Sequence, residues 1–101
     1  MIIITGSVEL KPEHRDEAFK LGCEHSARSR GEPGCIAHNC YTDAEAPDRM
    51  HFFEKWKDAD AVRTHFAVPE SGDFVRRISA MATAQPLIEI FAAEQIELPA
   101  G

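Results

Sequence analysis

Basic residues are in short supply. Against 17 Asp and Glu stand 11 Lys and Arg, a net charge of -6 with His neutral. Nucleic acid is therefore an unsuitable partner, because neutralising phosphates needs a basic surface. An anionic membrane surface is excluded for the same reason. Long apolar runs are missing as well. The chain starts Met1-Ile2-Ile3-Ile4 and then turns polar, with no basic stretch in front of it. That is too short for a membrane span or a secretion signal, so a cytoplasmic protein is expected. Cysteine is sparse: Cys23, Cys35 and Cys40 form an odd set with no C-x-x-C spacing. Cys35 and Cys40 are an odd number of residues apart and should face opposite sides of a regular strand. All three are expected to be reduced thiols. Repeats, linkers and low-complexity tracts are absent too, so 101 residues point to one domain, residues 1–101.

What is present is an ordinary globular balance, 44% hydrophobic and 28% charged. Ile2, Ile4, Val8 and Leu10 share one face and Ile3, Thr5, Ser7 and Glu9 the other, which predicts a first strand over Ile2–Leu10. Pro12 suits the first turn of a helix, and Glu13, Asp16 and Glu17 suit its positive end. Ala18, Phe19, Gly22, Cys23, Ser26 and Ala27 set a small-residue stripe along that helix, which should end near Gly31. His14 and His25 lie on it among charges and are expected to be solvated. Glu32-Pro33-Gly34 reads as a turn.

Strands are predicted over Cys35–Thr42 and Arg49–Trp56, joined by a loop through Pro47. Asp58 is a credible N-cap for a short helix ending near His65. After a break at Ala67-Val68-Pro69, a helix is expected from about Ser71 to Ala82, with Phe74, Val75, Ile78 and Met81 on one face. Leu87–Ala93 reads as a nearly continuous apolar strand, and Ile96 and Leu98 extend the alternation.

The order β-α-β-β-α-α-β with antiparallel neighbours is a ferredoxin-like α+β layer: three helices on one face of a four-stranded sheet. The opposite face of such a sheet is normally polar. Here Leu87 and Phe91 fall on one face of the last strand, and Ile88 and Ile90 on the other. Phe53 opposes Met50, Phe52 and Trp56 on the third. A second apolar face calls for a covering partner, most simply an identical subunit that closes a dimeric α+β barrel.

Glu32-Pro33-Gly34-Cys35-Ile36 opens the second strand. Phe53-Glu54-Lys55-Trp56-Lys57-Asp58 runs into Ala61-Val62-Arg63-Thr64-His65. In these residues and in element order the chain resembles the antibiotic biosynthesis monooxygenase family of dimeric α+β barrels. That resemblance implies oxidation of a phenolic or quinol-like compound by O2 without a cofactor, in a homodimer. Its most specific part is Glu54-x-Trp56 followed by His65. Haem-degrading members have an Asn, a Trp and a His where this chain has Thr5, His65 and Val75, so the resemblance does not extend to haem. Polyketide oxygenases have an Asn on the third strand where this chain has Phe52. Lys57-Asp58-Ala59-Asp60-Ala61-Val62 resembles an autoinducer-processing branch. That makes an isomerase of a small phosphorylated carbonyl compound the alternative, with a non-catalytic small-molecule-binding dimer as the third reading.

Oxygenation without metal or flavin needs an electron-rich ring made reactive by deprotonation, a dry pocket and a proton acceptor. His65, Trp56 and Glu54 are the catalytic candidates. His65 would take or orient the proton, Trp56 would wall the pocket, and Glu54 would act as a base with raised pKa. Otherwise Glu54 should be paired with a backbone group or an Arg. His38, Asn39, Tyr41, His51 and Phe52 are the substrate-binding candidates, with Asn39 and Tyr41 sharing one strand face. His38 and Cys40 share the other, with His51 on the neighbouring strand as the third candidate metal ligand. Those three lack a recognised ligand spacing, so no metal is expected.

Overall fold

β1 (Ile2–Glu9) occupies the interior of the sheet, paired antiparallel to β3 (Arg49–Trp56) on one side and β4 (Leu87–Ala92) on the other. β2 (Cys35–Thr42) completes the outer edge beyond β3, giving the order β2-β3-β1-β4. The structure, a computed structural model, describes residues 1–100. Three helices cover one sheet face: α1 (Arg15–Ser29), α2 (Ala59–Ala67) and α3 (Pro69–Ala80). This is the expected ferredoxin-like α+β layer with an antiparallel four-stranded sheet.

The helix-side core has two parts. Val8, Leu10, Ala18, Met50, Phe52, Ile78 and Met81 fill one end, and Ile4, Trp56 and Val62 the other. β3 contributes to both because Met50, Phe52, Glu54 and Trp56 alternate inward. α1 approaches closely through Gly22. A methyl group there would lie 2.8 Å from Cys40 Sγ and 3.2 Å from both Met50 Cε and Phe52 Cζ. Gly34 permits the turn into β2 with φ +80, and a Cβ on it would meet Ala61 Cβ at 2.5 Å.

The boundaries depart from expectation in several places: β1 ends at Glu9 and β4 at Ala92, each one residue short of expectation. Pro12–His14 is a 3-10 turn, and the α-helix starts only at Arg15. α3 begins at Pro69, two residues before Ser71, and ends at Ala80. Pro69 therefore opens this helix while Val68 stays extended in front of it, as a residue preceding proline prefers. α2 continues two residues past His65, to Ala67, with the Asp58 side chain accepting from Ala61 N as its cap. Ile96 and Leu98 form no strand and lie 78% and 94% exposed, because no neighbouring strand reaches them.

A register shift between Cys35 and Ala37 corrects the cysteine geometry. Cys35 pairs with Trp56 and Cys40 with Phe52, so both thiols belong to the helix-facing side. The extra residue, Ile36, bulges outward and is exposed. The three cysteines are free. Burial, then the neighbouring Cys23, pushes the Cys40 thiol up to about 12.

Candidate active site

Between the two parts of the apolar core lies a buried polar cluster. α1 supplies His25 and Ser26, β2 supplies His38, β3 supplies Glu54 and Trp56, and α2 supplies His65. All six are buried. Burying so much polarity in one place is costly unless each group is bonded.

Glu54 Oε1 is the hub. Trp56 Nε1 donates to it at 2.9 Å. His38 Nε2 comes within 3.3 Å, without the alignment of a hydrogen bond, and His65 Nε2 within 3.9 Å. Burial pushes the Glu54 carboxyl above its ordinary value, against the opposing pull of the Trp56 hydrogen bond and of His65. No arginine or backbone group satisfies it, so the simpler structural expectation for this carboxylate does not hold.

The outer nitrogens of the histidines are held in turn. His65 Nδ1 lies 2.7 Å from Glu32 Oε1 and donates to it. That orients the ring with Nε2 turned towards Glu54. His38 Nδ1 lies 2.8 Å from Ser26 Oγ. Arg28 donates to His25 Nδ1. Arg30 Nη1 donates to the His38 carbonyl at 2.8 Å. The imidazoles of His25 and His38 are both pushed down to about 3, first by burial and then by the neighbouring cationic and histidine groups. Both are neutral at physiological pH.

Beside the cluster a cavity of about 70 Å³ runs between α2, α3 and the β1/β4 side of the sheet. A single water needs roughly 10–15 Å³ on this measure, so the cavity holds more than one. Its walls are apolar, with Ile4, Phe52, Phe74, Val75 and Ile88 among them. Its polar lining residues are Ser7, His25, Glu54, His65 and Ser71. His25 stacks on Phe74 with ring centroids 4.1 Å apart, and His65 lies against Trp56 at 4.5 Å.

The structure thus brings Glu54, Trp56, His65, His38 and Phe52 together. It sets the other candidates apart. Asn39, Tyr41 and His51 pair opposite Phe53 and each other on the far sheet face. His51 Nε2 bonds Asp43 at 2.9 Å, so it cannot join His38 and Cys40. Two functional groups escaped the sequence reading. His25 is buried, not solvated, because the buried stripe of α1 runs Ala18, Gly22, His25, Ser26, Ser29. Its spacing of 4, 3, 1 and 3 residues was the available signal. Ser71 is buried on α3, and its Oγ has no partner although it borders the cavity.

The antibiotic biosynthesis monooxygenase pattern matches residues 1–77, which span every element of this cluster. The chain belongs to the antibiotic biosynthesis monooxygenase family. An uncharacterised Synechocystis protein, sll1783, is 30% identical over 90 residues, covering 89% of this chain and 61% of that protein. The "Putative monooxygenase YcnE" of Bacillus subtilis is 25% identical over 84 residues, covering 83% of this chain and 88% of its own. A crystal structure of an antibiotic biosynthesis monooxygenase superposes with a TM-score of 0.86 at 26% identity, covering 94% of this chain and all of that one. Among the described residues no helix is long and apolar enough to cross a membrane.

Proposed function

We propose that this family member is a monooxygenase that oxidises a phenolic or quinol-like compound with O2, using the Glu54–His65 pair as proton acceptor and no cofactor. The observation that carries this reading is an apolar cavity whose polar wall is a buried carboxylate 3.9 Å from Nε2 of an oriented histidine. The ring would lie among Phe52, Phe74 and Ile88, and its hydroxyl would face Glu54, His65 and the unpartnered Ser71 Oγ.

Removing the phenol proton makes the ring electron-rich enough to reduce O2. The resulting superoxide and ring radical recombine as a C–O bond. Loss of water from that hydroperoxide leaves a quinone, so one oxygen atom ends in the product and the other in water. A dry pocket protects these intermediates and strengthens the bonds that hold the anion. Raising the Glu54 carboxyl by burial brings its basicity closer to that of a phenol, which favours proton transfer.

A phosphorylated substrate is disfavoured because no Lys or Arg lines the cavity. A merely filled or apolar cleft, which a binding module predicts, does not describe one with two histidines and a carboxylate in its wall. The homodimer belongs to the same proposal. Leu87 and Phe91 stand 59% and 47% exposed on the far sheet face, in line with Ser7 and Ile3 of β1. A second copy on that face would cover them, in a cytoplasmic protein of this acidic balance.

Oxygen consumption with a panel of substituted hydroquinones tests the reading. The wild-type protein should consume O2 with at least one of them, and His65→Ala should lose the activity. A panel that yields no enzyme-dependent uptake counts against it.

A further inference from the structure

Three imidazoles in one buried cluster are more than a single proton transfer uses. Each of His25, His38 and His65 offers one nitrogen such that all three lie within 4.8 Å of one another. Their rings are 5.0, 5.5 and 5.5 Å apart between centroids. The fourth neighbour is a carboxylate: Glu54 Oε1 lies 3.3 Å from His38 Nε2 and 3.9 Å from His65 Nε2. The His38 side chain is fully buried, yet its Nε2 has no hydrogen-bond partner. A polar core built for packing alone would not leave that atom unpaired.

We propose that His25, His38, His65 and Glu54 form a binding site for a divalent transition-metal ion of the kind that prefers imidazole, such as Zn²⁺. In a tetrahedral site with metal–nitrogen bonds of about 2.0–2.1 Å, ligand atoms stand roughly 3.3 Å apart. The His38–Glu54 separation already has that value. The other separations, up to 4.8 Å, would have to shorten towards that value on binding. The outer groups have the arrangement that ligand histidines need. Glu32 takes the His65 Nδ1 proton and Ser26 bonds His38 Nδ1, each fixing a ring with its Nε2 directed inward. His25 is the ligand that must change. Arg28 donates to its Nδ1, which leaves the proton on Nε2, so ion binding through either nitrogen displaces the Arg28 side chain: directly at Nδ1, or at Nε2 because the ring proton must then move to Nδ1. His25 is also bordered from outside the cluster, where Arg77 faces it together with acidic groups. A second cavity, of about 110 Å³, has His25 and Arg28 in its wall and the carboxylates of Glu24, Glu70 and Asp73 around it.

His25, Glu54 and His65 also line the substrate cavity, so an ion held there borders it. The ion and a phenol proton compete for the same Glu54 and His65 atoms. This inference stands apart from the proposed oxygenase reading, and binding can be measured without any substrate.

The test is calorimetric titration of chelator-treated wild-type protein with Zn²⁺, repeated with Co²⁺ while the visible spectrum is recorded. One ion per chain with micromolar or tighter affinity is expected, together with Co²⁺ bands of a low-symmetry nitrogen–oxygen site. Glu54→Gln and His38→Ala should each weaken binding roughly tenfold or more. His14→Ala, a surface histidine, should not. Absence of wild-type binding overturns the site whatever the variants do. So does binding unchanged in both cluster variants, which places the ion elsewhere. Should oxygen uptake by metal-free protein persist without metal binding, only the ion site falls.

Discussion

Glu32 Oε1 accepts a hydrogen bond from His65 Nδ1 at 2.7 Å, across 33 residues of sequence. Glu32 belongs to the turn before β2 and His65 to α2. The contact makes Glu32 a positioning residue: it holds the ring orientation that aims His65 Nε2 at Glu54. Glu32→Gln should therefore lower kcat for quinol oxidation by roughly tenfold, with little change in KM, because the orientation and basicity of His65 are weakened. Steady-state kinetics with a quinol substrate checks this. A change confined to KM would contradict the positioning role.

Acid should destabilise the protein earlier than its surface carboxylates alone would. His25 and His38 have folded-state pKa values pushed down to about 3, against 6.5 in an unfolded chain. Below about pH 6.5 the unfolded chain binds protons that the folded one refuses, so stability falls as pH drops towards 3. Each such proton contributes about 1.4 kcal/mol per pH unit. Glu54 acts in the opposite sense. Its folded-state pKa is raised, so its contribution is present at low pH and lost as pH rises through that value. Urea midpoints measured in metal-free buffer should fall between pH 6.5 and 4.5. The fall should be shallower in His38→Gln than in the wild type. Identical slopes would contradict the burial of neutral histidines.

Much of the fold was legible because its periodicities are clean. Met50, Phe52 and Trp56 on one face of an alternating run give β3, and the Asp58 cap gives α2. The bulge at Ile36 was not legible, since it depends on pairing with β3 and not on local pattern. Glu54, Trp56 and His65 were readable as candidates. His25 was not, because Glu24 and Arg28 on either side made it look like part of a charged face. Burial on α1 follows from helix packing through Gly22, and that rotates the buried stripe onto His25. Ser71 was hidden for a related reason: Pro69 read as a break where it begins a helix.

Gly22→Ala tests that packing. An added methyl at 2.8 Å from Cys40 Sγ has no room, so overpacking should cost about 1–3 kcal/mol. Alanine's higher helix propensity offsets up to about 1 kcal/mol of this. Thermal unfolding should show a net loss of stability. A stabilised variant would mean that α1 sits further from the sheet.

The proposed dimer contact on the far sheet face is tested by charge. Phe91→Glu, and separately Leu87→Glu, should shift the protein from dimer to folded monomer in sedimentation velocity at micromolar concentration. These residues are exposed on the far face, so the protomer core should be spared. A wild-type protein that already sediments as a folded monomer would contradict the paired barrel.

Isotope labelling tests the oxygenase claim most directly. Turnover of a quinol substrate under ¹⁸O2, with the product analysed by mass spectrometry, should place one labelled atom in the quinone product. The rate should fall by roughly 10²–10⁴-fold in Glu54→Gln, which keeps the shape of the side chain but removes the base. Product without label, or full activity in Glu54→Gln, would contradict a monooxygenase that works through this carboxylate.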